Sequence, residues 1–227
     1  MPVTKKSTEK KRKLNLSQFK TLIKAMPTEY SGATVSDEIS DWADILQRRD
    51  RAGRALRSIF DKKDSVELCR GDLKKLAKEK NLDRFVMATL LWGYPSGMRN
   101  TYAADIADNL PTLVTLLGTA RRGIKNWSEH FEQLKRIRGI SLSTYSKLLY
   151  FLSVKVDGYA ALILDARIRK VGKDEVFEEF SGRFTELQYP AYLKQMHSIA
   201  KMLDVLPESL EFFLFLFGRN LKQPPYQ

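Results

Sequence analysis

Two features of residues 134–170 could do chemistry: a glycine turn between two amphipathic stretches, and a carboxylate that follows an apolar run. The run covers residues 162–164, and Asp165 comes directly after it, where the next helix is predicted to begin. An aspartate in that position is most often a helix N-cap, because its side chain accepts a backbone N–H of the first turn. A capping aspartate that faces a cleft is also fixed and ionised, so the structural and the catalytic interpretation are compatible.

The glycine turn has the features of a polyanion site. One predicted helix ends at Ile137, a tight turn follows, and the next helix begins near Leu142. Backbone amides converge at such a turn and at a helix N-terminus, where the dipole favours an anion, and Gly139 allows a phosphate to approach closely. An ordinary corner between two helices would need a glycine too. The residues expected to contact DNA are Lys135, Arg136, Arg138, Gly139, Ile140, Ser141, Ser143 and Thr144.

Together, the turn and the aspartate resemble the HhH-GPD superfamily of DNA base-excision glycosylases. The family pattern is a hairpin of the form L-x-x-I-x-G-I-G, a second helix, and an apolar run that ends in a catalytic aspartate. Within that superfamily, the amino-acid sequence of residues 146–151 is most similar to that of the bacterial branch with an 8-oxoguanine-glycosylase fold. The residues that match the family pattern are Leu134, Ile137, Gly139, Ile140 and Asp165.

The resemblance implies an enzyme, a DNA glycosylase that flips a damaged or modified base and cleaves its N-glycosidic bond, leaving an abasic site. Asp165 would stabilise the positive charge that develops on the sugar and orient the attacking water. The base is expected to be either similar to 8-oxoguanine or a bulky modified pyrimidine, such as glucosylated hydroxymethylcytosine of phage DNA in a defence role. The alternative is a non-catalytic helix-hairpin-helix protein that only binds DNA.

Two positions depart from the family pattern. Ser141 replaces the second hairpin glycine, and Ser143 stands where bifunctional members have their lysine nucleophile. Lys147 lies four residues further on, so it shares a helix face with Ser143 and could reach the same cleft. A lysine desolvated there could act as an amine nucleophile and form a Schiff base with the sugar. If Lys147 instead contacts solvent or phosphate, the enzyme uses water and has no abasic-site lyase activity.

A wedge and a base pocket are expected where aromatic residues and glycines end a predicted helix. Trp92, Tyr94 and Met98 occupy such a segment. This loop could fill the gap left by a flipped base, with Arg99 and Asn100 facing the orphaned partner. The alternative is a packed corner with Trp92 in the core.

The phenylalanine-rich stripe at residues 212–217 also has two interpretations. Its rings are numerous enough to fill a core. One of them, Phe213, could in addition line the base pocket.

No metal or redox cofactor is expected. The single cysteine, Cys69, excludes a disulfide framework, a thiolate zinc site and an iron–sulfur cluster, including the four-cysteine cluster of some superfamily members. Members of the superfamily often hold a monovalent cation on hairpin carbonyls. Here those carbonyls would belong to Arg138, Ile140 and Leu142.

The surrounding pattern predicts an all-α fold with two lobes around a cleft. Apolar residues recur at steps of three and four from Ser36 onward, and Ser36 or Asp37 is the expected cap of the first stripe. Glycine and proline separate the stripes by short connections, which favours one compact helical body. Helices are expected over residues 73–80, 84–92, 102–107, 113–121, 127–137, 143–154, 165–171, 189–203 and 206–217.

The charge of the chain favours a nucleic-acid partner. Its 227 residues include 39 Lys or Arg and 27 Asp or Glu, for a net charge of +12. We expect residues 1–15 to be a basic disordered arm, with Lys5–Lys13 along the DNA backbone, and residues 16–227 to be one helical domain. The implied partner is double-stranded DNA with a modified base, and no protein partner is implied.

The sequence contains neither a run of 18 or more apolar residues nor an apolar signal core after its charged N-terminus. It therefore predicts no membrane span and no secretion signal. We expect an intracellular, cytoplasmic protein that associates with the nucleoid.

Overall fold

A computed structural model describes residues 13–28, 35–98 and 101–221. Helices dominate these residues, so the predicted all-α class is confirmed, and none of the helices described is long and apolar enough to cross a membrane. Two short 3₁₀ helices, Leu16–Phe19 and Ile39–Trp42, precede α1 and α2. The α-helices are α1 (Lys20–Lys24), α2 (Ala43–Leu46), α3 (Arg51–Phe60), α4 (Arg70–Leu76), α5 (Asp83–Gly93), α6 (Tyr102–Asp108), α7 (Leu110–Ala120), α8 (Trp127–Leu134), α9 (Leu142–Phe151), α10 (Ala166–Lys173), α11 (Tyr189–Leu203) and α12 (Pro207–Phe217).

Two small antiparallel strand pairs interrupt the helices. Strand β1 (Val35–Glu38) pairs with β2 (Ser65–Leu68), and β3 (Lys155–Val156) pairs with β4 (Tyr159–Ala160). The prediction of helix from residue 36 onward was wrong for β1, whose extended residues include both expected helix caps. The reason is that β1 is specified by its pairing with the distant β2, which a local periodicity does not contain.

Helix α3 is absent from the helices that the sequence predicted. It begins after Asp50, whose carboxylate accepts the Gly53 N–H at 3.0 Å and so caps the first turn. The helix buries Leu56 and Phe60 and packs against α5. The aspartate before the helix is therefore the sequence signal that could have identified it.

The helices form two groups that α9 connects. Helices α2 to α5 pack on one another, and α12 packs against α1, α10 and α11. Helix α9 contacts α4, α5 and α7 directly. It reaches the second group through side chains, because the Tyr150 hydroxyl donates to Glu208 of α12 at 2.8 Å and Ser146 Oγ accepts the Leu164 N–H at 3.0 Å just before α10. The buried apolar residues continue across both groups.

Part of the predicted N-terminal arm belongs to the folded body. Leu14 donates its N–H to Val176 and accepts the Glu178 N–H, each at 2.9 Å, and Lys13 pairs with Glu175 at 2.5 Å. Residues 13–15 are therefore ordered against the turn after α10. The other residues predicted for the arm, 1–12, lie outside the described residues.

Candidate active site

The predicted hairpin joins α8 to α9. Helix α8 ends at Leu134, before the expected end, and the turn contains Gly139 with a φ of +81°. A Cβ on this residue would stand 2.6 Å from the Tyr102 carbonyl oxygen of α6. Both the backbone angle and the contact with α6 therefore require glycine. Ser141 then caps α9, because its Oγ accepts the Thr144 N–H at 3.3 Å.

The basic side chains of the hairpin are exposed. Lys135 pairs with Glu132 at 2.9 Å, and Arg138 Nε lies 3.9 Å from Asp105 Oδ1 while 79% of the Arg138 side chain stays accessible. Arg136 is also exposed. Surface ion pairs of this kind contribute little to stability, so these cations can exchange their partners for a phosphate at small cost.

The polar groups around the turn differ in their exposure. Ser141 is exposed, and Ile140 and Ser143 are half-buried. Thr144 is only 1% exposed, and its hydroxyl lies 2.6 Å from the Tyr94 hydroxyl. This burial does not support the phosphate contact that the sequence suggested for Thr144, which instead ties the hairpin to the end of α5.

Asp165 follows a short segment, residues 162–164, whose backbone forms hydrogen bonds with buried side chains. Tyr189 and Tyr192 donate their buried hydroxyls to the carbonyl oxygens of residues 162 and 163, each at 2.7 Å. The N–H of the next residue donates to Ser146 of α9. Asp165 itself is half-buried and caps α10, since its Oδ1 accepts the Ile168 N–H at 2.9 Å. The predicted N-cap is confirmed, and the carboxylate is held in place by its neighbours.

Lys147 lies in the interior of α9 and is 9% exposed. Its amine donates to Ser143 Oγ at 3.2 Å and to the Ser143 carbonyl at 3.4 Å, so the predicted shared face of these two residues is confirmed. The amine also lies 5.7 Å from the Tyr94 ring centroid. Burial lowers the pKa of Lys147, while the negative charges of Asp165 and Glu211 act in the opposite direction.

The end of α5 makes room for this lysine. A Cβ on Gly93 would stand 3.4 Å from Lys147 Cδ and 3.9 Å from Lys147 Nζ, so the lysine side chain lies directly against this glycine. Trp92 is buried and packs edge-on against Phe151 at 5.3 Å between ring centroids. Tyr94 is therefore the aromatic residue of this segment that reaches the lysine.

The remaining pocket and wedge candidates lie elsewhere or outside the described residues. Met98 packs against the core and lines a surface hollow with Trp42. Phe213 is fully buried, and its ring lies against Phe19 at 5.4 Å and Phe217 at 5.6 Å between centroids. These contacts support the core interpretation of Phe213 and not a place in the pocket. The predicted contacts of Arg99 and Asn100 fall on residues that the structure does not describe.

A family model described as "Putative 8-oxoguanine DNA glycosylase OGG-like protein" matches residues 29–215. The matched range includes the hairpin, Lys147 and Asp165. The chain belongs to this OGG-like family. Membership supports a DNA glycosylase and implies DNA as its partner. No curated protein and no solved structure matches the chain.

This OGG-like glycosylase also contains a buried ion pair that the sequence analysis missed. Arg70 of α4 and Glu211 of α12 are 1% and 0% exposed, and Arg70 Nη1 lies 3.2 Å from Glu211 Oε2. The Arg70 guanidinium also lies 4.4 Å from the Phe212 ring centroid and 5.9 Å from that of Trp92. The signal that could have found the pair is Glu211 itself, a carboxylate among the apolar residues at 210–217.

Metal binding by side chains finds no support in the described part of this glycosylase. Among those residues, no group of three or more His, Cys, Asp or Glu side chains could hold a metal ion. A monovalent cation would use the backbone oxygens of Arg138, Ile140 and Leu142 around the turn. That site remains a prediction.

Proposed function

We propose that this protein is a DNA glycosylase of the HhH-GPD type, which flips a modified base out of duplex DNA and cleaves its N-glycosidic bond. Family membership supports the general activity. The observation that carries the proposal is a buried amine on Lys147, which the charge of a fixed carboxylate on Asp165 influences, together with an exposed basic hairpin. This combination provides a reactive centre and a DNA-binding surface in one motif.

We assign to Asp165 the stabilisation of the charge that develops on the sugar. As the C1′–N bond breaks, positive charge spreads over C1′ and the ring oxygen. A carboxylate that is already fixed needs no reorganisation to stabilise that charge, which is the usual source of a large electrostatic effect. Because Oδ1 caps α10, we assign Oδ2 to the sugar or to the attacking water.

We assign to Lys147 the role of amine nucleophile. Its burial lowers its pKa, which increases the neutral fraction that can attack carbon. In this step the Nζ–C1′ bond forms while the C1′–N bond breaks, and the base leaves with the bonding electrons and takes up a proton. Loss of an amine proton and opening of the sugar ring then give the Schiff base. In the alternative route water attacks instead, and no adduct with the protein forms.

DNA binding is assigned to the hairpin and to the segment after α5. Exposed Lys135, Arg136 and Arg138 would contact phosphates, together with the turn backbone. Tyr94 would form one wall of the base site beside Lys147. A contact of Arg99 and Asn100 with the orphaned base stays a prediction, since both residues lie outside the described part of the chain.

The excised base that we propose is either similar to 8-oxoguanine, as the family description suggests, or a bulky modified pyrimidine such as glucosylated hydroxymethylcytosine. The first would make the enzyme a repair enzyme of nucleoid DNA in the cytoplasm. The second would make it a defence against phage DNA. The shape of the base pocket decides between them, because a pocket built for one base leaves polar groups unpaired with the other.

The test is incubation of the protein with duplexes that carry 8-oxoguanine, uracil, alkylated purines, hydroxymethylcytosine or glucosylated hydroxymethylcytosine. Free base is detected by mass spectrometry, and strand breaks are scored with and without alkali. Release of one base is the expected result and identifies the substrate, and breaks without alkali favour the lysine route. Tight binding with no base released from any duplex would overturn the proposal in favour of the non-catalytic DNA-binding protein, in which Asp165 is only the helix cap seen here.

A further inference from the structure

The buried pair of Arg70 and Glu211 requires an explanation beyond stability. Arg70 Nη1 and Nη2 each lie 3.2 Å from Glu211 Oε2, and Nη2 lies 3.4 Å from Oε1. Both side chains are almost completely removed from solvent. Apolar residues of similar volume often stabilise a core as well as such a pair does, so a buried pair is weak support for a stabilising role.

The pair is connected to α9, the helix that carries Lys147, through Tyr150. Tyr150 follows Lys147 by three residues and therefore lies on a neighbouring part of the same helix face. Its hydroxyl accepts from Arg70 at 3.4 Å and donates to Glu208 at 2.8 Å. Tyr150 thus joins the lysine helix to the buried pair, and the Glu211 charge acts on the Lys147 amine through the protein interior.

We propose that Glu211 is a positioning residue of the glycosylase site, whose carboxylate, held by Arg70, controls the charge of the Lys147 amine without touching the substrate. The inference rests on the proposed function, because that function gives Lys147 its role. An amine attacks carbon only after it has lost its proton. Together with burial and the Asp165 charge, Glu211 therefore contributes to the fraction of the enzyme that can react at a given pH.

Several charged groups surround these two residues. Asp165 at the start of α10 and Glu211 of α12 both favour the protonated form of Lys147, which otherwise has Ser143 and the Tyr94 ring as neighbours. Glu211 interacts electrostatically with the charged groups of Arg70, Asp165 and Glu208. It also acts on the hydroxyl groups of three buried tyrosines, which are Tyr150, Tyr189 and Tyr192.

The pH range in which Glu211 can act follows from its own ionisation. Burial raises the pKa of Glu211 to about 7, although Arg70 opposes the shift. Glu211 is therefore charged above that pH, where it helps Lys147 to keep its proton, and neutral below it. Removing the carboxylate charge must lower the pKa of Lys147 further.

The experiment is a pH titration of Lys147 by NMR in the free, full-length protein. Protein labelled with ¹⁵N-lysine is titrated, and the Lys147 Nζ signal is assigned by its loss in Lys147→Gln. We expect the midpoint of Lys147 to fall in Glu211→Gln and to stay unchanged in Glu79→Gln, which removes an equal charge from the surface pair with Arg84. An unchanged midpoint in Glu211→Gln, or an equal fall in Glu79→Gln, would overturn the proposal.

A second variant keeps the test valid if Glu211→Gln does not fold, since that substitution leaves Arg70 buried without its partner. The double substitution Arg70→Met and Glu211→Met removes both charges and retains volume. Because the positive charge of Arg70 opposes that of Glu211, and Glu211 is the member of the pair that raises the pKa of Lys147, we expect a fall in midpoint that is smaller than in Glu211→Gln. A midpoint equal to wild type in the folded double variant contradicts the proposal.

The pH profile of base release separates this proposal from the proposed function. With the substrate duplex, the rate should rise with pH as Lys147 loses its proton, and the rise should occur at lower pH in the Glu211 variants. A purely structural role of Glu211 would lower the rate without moving the profile, and would overturn the inference. Failure of base release with a normal shift in the titration would contradict only the proposed function.

Discussion

The hairpin and the segment before α10 belong to one motif, yet they are built in opposite ways. The hairpin exposes Arg136 and Arg138, and Arg138 makes a long contact to Asp105. In the segment before α10, three successive backbone groups are bound by buried side chains, and Asp165 is fixed by its own capping bond. The surface proposed to bind DNA can adapt to its ligand, whereas the groups assigned to the chemistry are held in place.

The two regions should therefore respond differently to mutation. Exposed cations act mainly through long-range charge, so their effects should be graded and sensitive to salt. Asp165 and Lys147 are assigned to the reaction itself, so loss of the groups that hold them should reduce the rate and leave affinity almost unchanged.

The largest expected effect is the loss of a covalent adduct in Lys147→Gln. If Lys147 is the nucleophile, borohydride should trap a protein–DNA adduct with wild type and none with the variant, because the amide cannot form a Schiff base. The adduct is measured as a shifted band and by peptide mass. Lys155→Gln, which changes an exposed lysine of β3, is the control and should retain the adduct. An adduct that still forms with Lys147→Gln would show that another amine is the nucleophile.

A smaller loss of rate is expected for Ser146→Ala. The variant leaves the buried N–H before Asp165 without its acceptor, which costs about 1–3 kcal/mol of unfolding free energy. Because that bond joins α9 to the Asp165 segment, base release should slow while DNA affinity stays unchanged. Denaturant unfolding, single-turnover kinetics and a binding titration measure the three quantities, and exposed Ser198→Ala is the control. An unchanged rate in a destabilised variant would show that the segment need not be held for catalysis.

The sequence predicted the parts of this site that depend on local patterns. The turn at Gly139, the start of α9 and the cap at Asp165 all follow from residues close in the chain. The contacts of Tyr189 and Arg70 could not be predicted, since they join parts of the chain that are far apart in sequence. The pairing of β1 with β2 was missed for the same reason.

The phenylalanines of α12 show the same limit within one helix. Phe212 and Phe213 are adjacent and equally apolar, so composition does not distinguish them. In the structure, the Phe212 ring lies against the Arg70 guanidinium, whereas the Phe213 ring lies against that of Phe19. Only the packing of the neighbouring helices decides which ring approaches the buried charges.

On the binding side, Arg136→Gln and Arg138→Gln should each weaken DNA affinity and reduce the slope of log affinity against log salt by about 1. Neither substitution should change the single-turnover rate at saturating protein. The slope is measured by fluorescence anisotropy over a series of salt concentrations, with exposed Lys201→Gln of α11 as the control. Equal slopes for wild type and both variants would show that the hairpin is not part of the DNA interface.

The smallest effect is expected from removal of residues 1–12. This segment carries five Lys or Arg and one Glu, so its loss should lower affinity and flatten the salt dependence without altering which base is released. The truncation retains Leu14, whose backbone pairs with Val176. An equal-length glycine and serine replacement serves as the control for length, and an unchanged slope would show that the segment does not contact phosphate.

The most direct test of the account is the rate of base release by Asp165→Asn under single-turnover conditions, with binding measured on the same duplex. Asparagine caps helices as well as aspartate does, so the fold and α10 should be retained. The account predicts normal DNA binding and a rate lower by about 10²-fold or more, because the preorganised charge at the sugar is lost. A rate equal to wild type would contradict it and leave Asp165 as a helix cap alone.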